Sequence, residues 1–83
     1  MTITAEVKES LEREYNISFK VASFYKKQIK KLEKKHMMNT GTFLERFEAG
    51  TIGDDMDFFD WYSFHKLLIS WTKTRNALRS FLK

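Results

Sequence analysis

The 83-residue chain has no cysteine, no proline and only three glycines. Without cysteine there is neither a disulfide framework nor a thiolate metal site. An all-β fold of this size needs frequent turns, which Gly and Pro usually supply. Here Gly41, Gly50 and Gly53 fall in one short central stretch. No run of about 18 apolar residues occurs, so no membrane span is expected. The first residues carry acids and lack an apolar leader core, so no signal peptide and a cytoplasmic location are expected. The apolar share of 42% argues against disorder, and the length allows a single domain, 1–83.

What fills the chain instead is helix-forming sequence. Both flanks of the glycine stretch are rich in Lys, Glu, Leu and Arg. Val7, Leu11, Tyr15, Ala22, Tyr25, Ile29, Leu32 and His36 mostly step by three or four, the helical period. Thr4 is a candidate N-cap, with Glu6 in the first turn. Asn16 and Ser18 offer a break within this helix. The pattern predicts a long helix over about 4–38, a short helix over 42–49 and a second long helix over 55–81. Thr42 with Glu45 has capping-box spacing, and Asn39 or Thr40 is an equal cap. Gly50 reads as a left-handed C-cap residue, and Asp54 and Asp55 open the last helix. The expected fold is all-α: a helical hairpin or three-helix bundle with the short helix at its tip, as a dimer.

Residues 58–71 hold six of the thirteen aromatic residues. At about 100° per residue, Phe58, Tyr62, His65 and Ile69 form one stripe, and Trp61, Phe64, Leu68 and Trp71 form its neighbour. A simple hairpin needs one apolar stripe per helix. The surplus is covered either by the short helix or by another chain. Trp and Tyr are favoured interface anchors, which supports the second reading.

Charge is segregated beneath a formal net of +4. Residues 1–41 and 63–83 are basic, and residues 42–62 are acidic. Lys26, Lys27, Lys30, Lys31, Lys34 and Lys35 form one broad helical face. It reads either as a solvated surface or as a contact for phosphates without base selectivity. Asp54, Asp55, Asp57 and Asp60 read as caps and solvated groups, or as a dock for a basic partner. Their spacing does not match a calcium-binding helix–loop–helix.

His36 and His65 are the only histidines. No zinc-protease, phosphate-loop or nucleophile-elbow motif is present. No catalytic residue, cofactor or metal ligand is expected, and the chain is read as non-enzymatic.

The run FLERFEAGTIGDDMDFFDWY resembles a motif in small, mostly uncharacterised helical proteins of archaea and bacteria. The matching residues are Phe43, Arg46, Phe47, Gly50, Gly53, Asp54, Asp55, Asp57 and Trp61. Some members look like the antitoxin half of a toxin–antitoxin pair. The resemblance covers about a quarter of the chain, and the basic tail after Trp71 lies outside it. It implies a protein–protein interaction module whose partner is a cognate toxin or a second copy. Phe47, Phe58 and Trp61 would anchor that partner, and Asp54, Asp55, Asp57 and Asp60 would steer it. The alternative is a small basic protein that binds nucleic acid through Lys26–Lys35.

Overall fold

A computed structural model describes residues 4–82, which form three helices: α1 (Ala5–His36), α2 (Thr40–Glu48) and α3 (Met56–Leu82). Lys83 of the basic tail lies outside the described residues. The described chain is all-helical. α1 and α3 run antiparallel as a hairpin, and α2 folds across the end where they are joined. The molecule measures 52 × 20 × 17 Å with a radius of gyration of 16.6 Å. A compact chain of this length would have a radius of about 12 Å.

The buried stripes show why the hairpin forms. On α1, Leu11, Tyr15, Ser18, Ala22, Tyr25, Ile29, Leu32 and His36 are buried or half-buried and alternate steps of four and three. On α3 the same holds for Trp61, Phe64, Leu68, Trp71, Arg75, Leu78 and Leu82. This 3.5-residue repeat keeps two long helices in contact along their length.

The ends of each helix follow from local chemistry. The Thr4 hydroxyl accepts from the Val7 amide at 3.3 Å, as its capping position predicts. α1 runs through Asn16 without interruption. The Ser18 hydroxyl there donates to the Tyr15 carbonyl at 2.8 Å within the same helix, so it caps nothing. α1 ends at Met37, a left-handed residue with φ 51°, and the Met38 amide bonds back to the Glu33 carbonyl. Asn39, one of the three candidate caps, accepts from the Thr42 amide at 2.8 Å, so α2 starts at Thr40, two residues before the expected 42.

α2 closes at Gly50, φ 72°, as expected. The Gly50 amide bonds to the Phe47 carbonyl and the Thr51 amide to the Arg46 carbonyl. These two bonds make a Schellman closure, which needs the left-handed glycine. Asp55 starts α3 by accepting from the Asp57 amide at 2.9 Å.

The hydrophobic core gathers at the joined end, here termed the head. It contains Ile29, Phe43, Phe58 and Trp61, with Leu32, Phe47 and Tyr62 among the side chains packed against it. Trp61 and Phe43 are both 0% exposed, and their rings stack in parallel at 4.1 Å. A polar relay ties the three helices together around them. The Trp61 indole N–H donates to the Thr40 hydroxyl at 3.1 Å, and that hydroxyl donates to the Glu33 carboxylate at 2.9 Å. The same carboxylate accepts from the Thr40 amide at 2.8 Å.

Candidate interaction surface

The aspartates of the central turn divide by role. Asp54 and Asp60 are exposed, while the Asp55 carboxylate caps α3. The Asp57 carboxylate reaches α1, where it meets the Lys35 ammonium at 2.6 Å and His36 Nε2 at 3.0 Å. The Lys35 hydrogen bond, and after it the His36 one, holds the Asp57 carboxyl below its ordinary value. The hydrogen bond to Asp57 raises Lys35 in turn. Both groups border solvent, where screening keeps such pairs weak. The acidic turn and the lysine-rich end of α1 therefore neutralise each other in part.

His36, Asp55 and Asp57 bring one donor atom each within 4.8 Å, the only such trio among the described residues. His36 Nε2 and Asp57 Oδ2 already bond each other, Asp57 Oδ2 also holds Lys35, and Asp55 Oδ1 caps α3. The His36 ring also lies against Phe58 at 4.9 Å and stacks with Trp61 at 6.0 Å.

The fold encloses two of the three expected aromatic anchors. Trp61 is fully enclosed, and Phe58 is buried against His36 and Phe43. Neither has surface to offer a partner, because α2 lies over the side of α3 that carries them. Phe47 is half-buried and stacks on Tyr62 at 4.6 Å. Of the seven residues expected to dock a partner, only Asp54, Asp55 and Asp60 are exposed.

Lys26, Lys27, Lys30, Lys31, Lys34 and Lys35 are all exposed, as a helical face predicts. Among the described residues, Lys35 alone of the six is held by a carboxylate.

The apolar surplus instead emerges along the rest of the hairpin, the stem. Phe24 is 53% exposed and Ile17 47%, and Phe19, Leu67, Ile69 and Phe81 are also exposed. Only Ser18 and Ala22 are buried on this part of α1. Phe24 meets Tyr25 edge-on at 5.5 Å, and Tyr25 meets Phe64 at 5.7 Å, so a band of rings crosses one side of the stem from α1 to α3. On the other side the Arg75 guanidinium covers Phe19 at 5.8 Å. In the sequence the denser aromatics of the head outweigh the apolar side chains of the stem. The readable signal was that Ile17, Phe19 and Phe24 lie off the main α1 stripe.

No helix among the described residues is long and apolar enough to cross a membrane. The sequence matches no family model, no curated protein and no solved structure.

Proposed function

We propose that the chain is a non-enzymatic protein–protein interaction module that docks its partner on the ring-bearing side of the stem. The observation that carries this reading is the row of half-exposed large apolar side chains there, Ile17, Phe24, Leu67 and Phe81 among them. Contiguous apolar surface of this kind marks association sites. The central motif's likeness to antitoxin-like proteins supports the same class. In that form of the reading the exposed aspartates steer the encounter and the stem supplies the contact.

Site-specific photo-crosslinking in cells tests it. A photoreactive phenylalanine analogue at Phe24 or Leu67 is expected to trap a protein partner, and the same group at Lys30 is not. Absence of any trapped product from both stem positions overturns the reading.

A second reading draws on the five lysines of α1 that no described carboxylate holds, Lys26, Lys27, Lys30, Lys31 and Lys34. They suit contact with nucleic-acid phosphates. Such binding would weaken steeply with salt through counterion release. No retention of duplex DNA or RNA in a low-salt gel shift eliminates it.

A further inference from the structure

Each long helix carries a second 3.5-residue stripe, one residue ahead of its buried one. On α1 it runs through Glu14, Ile17, Val21, Phe24 and Gln28. On α3 it runs through Ser63, Leu67, Ser70, Thr74, Ala77 and Phe81, six positions without a charge over about 27 Å of helix. In an antiparallel pair, the same offset on each helix brings both stripes to the same side. The Phe24–Tyr25–Phe64 contacts mark that side.

The two stripes also share a centre. Tyr25 lies against Phe64, Phe19 against Arg75 and Lys35 against Asp57. These contacts set Val21 level with Trp71 and Thr72. Val21 is the midpoint of the α1 stripe and Thr72 the midpoint of the α3 stripe. One two-fold axis, perpendicular to the helices, can therefore pass through both.

From this juxtaposition we propose that a second copy of the chain covers the stem, giving an antiparallel four-helix bundle with the heads at opposite ends. This deepens the docking reading above and rests on it. Three features favour a second copy. The first is shape: about this axis Leu67 falls opposite Ala77 of the second copy, and Phe81 falls opposite its Ser63, so large meets small. The second is charge. α1 carries Glu9 and Glu14 before the axis and Lys27 and Lys31 after it. Two antiparallel copies bring Glu14 within about one residue of the level of Lys27, and Glu9 within about two of the level of Lys31, twice each. The third is area. The chain exposes 6276 Å², whereas a compact monomer of its 10.0 kDa exposes about 5,200 Å². The excess of about 1,000 Å² is close to what one partner loses in an interface of standard size, about 800 Å².

Sedimentation equilibrium of the full chain at micromolar concentrations tests the proposal. Twice the chain mass is expected. Phe24→Lys and Leu67→Lys, at positions the single hairpin leaves exposed, should each weaken dimerisation by roughly 100-fold while the helical circular dichroism is kept. Glu14→Lys or Lys27→Glu alone should weaken it, and the two together should restore it. Residues 14 and 27 are too far apart on α1 to meet within one chain, so restoration reports the antiparallel neighbour. Single-chain mass across the whole range overturns the proposal, as does a dimer whose affinity neither lysine variant changes. If the mass stays single while Phe24 still crosslinks to another protein in cells, the second copy is refuted and the docking reading survives.

Discussion

The head and the stem use the same two helices to opposite effect. In the head, a third helix adds a layer. The Trp61 and Phe43 rings are enclosed, and the Glu33–Thr40–Trp61 relay satisfies the polar groups that burial would strand. In the stem two helices stand alone. Small residues, Ser18 and Ala22, fill the seam there, and Phe19, Phe24 and Leu67 are left half in water. Two helices cannot enclose a large side chain, because each touches its partner along one stripe only. The enclosed core thus lies at one end, while most of the exposed large apolar side chains lie along the rest.

The largest effect should separate the two regions. Trp61→Ala removes an enclosed ring and its hydrogen bond, and is expected to cost about 3–5 kcal/mol, most of the stability of a domain this small. Phe19→Ala in the stem, losing an exposed ring and its contact with Arg75, should cost about 1 kcal/mol or less. Urea unfolding of the two variants compares them directly. Equal losses would erase the distinction between head and stem.

Thr40→Val keeps the shape of the residue and cuts the relay. It strands the Trp61 indole N–H and one bond to Glu33, for an expected cost of about 2 kcal/mol. A neutral result would mean that ring stacking alone holds the head.

Met37→Gly should stabilise. Met37 is 92% exposed and holds a left-handed backbone that costs a side-chain-bearing residue about 1 kcal/mol. The melting temperature is expected to rise by a few degrees. No rise would place the α1–α2 joint outside the cooperative unit.

The smallest effect lies at Asp57. Its carboxyl is held low, so its pairing stabilises the fold above the ordinary value of 3.8 and is lost as pH falls through the lower folded value. Lys35, raised above 10.5, contributes below that value and stops contributing as pH climbs past its raised one. The melting-temperature gap between the wild type and Asp57→Asn should be flat near neutrality and close in acid. A gap that persists unchanged in acid would show that the α1–α3 pairing at Asp57 does not act through charge.

Much of the helix punctuation was readable from the sequence. The absent prolines and clustered glycines located the bend, and Thr4, Asn39, Gly50 and Asp55 act locally, within a few residues of the groups they bond. The burial of Phe58 and Trp61 was not readable. They lie on two adjacent apolar stripes of α3 that look alike in sequence, and both rings are enclosed only where α1 and α2 dock there together. The bond from Asp57 to His36 joins residues 21 positions apart and exists only once the hairpin closes. Asn16 and Ser18 suggested a break that local propensity favours. The continuous packing of α1 along α3 overrides it.

The 52 Å length against a width of 17–20 Å has a consequence for how the molecule moves. Friction on a rod grows with its axial ratio, so a single chain already diffuses as a heavier sphere would. Its tumbling divides into a slow end-over-end rotation and a faster spin about the long axis. Amide N–H bonds of α1 and α3 lie nearly along that axis and relax with the slow rotation alone, whereas side-chain probes pointing outward from the stem sense both.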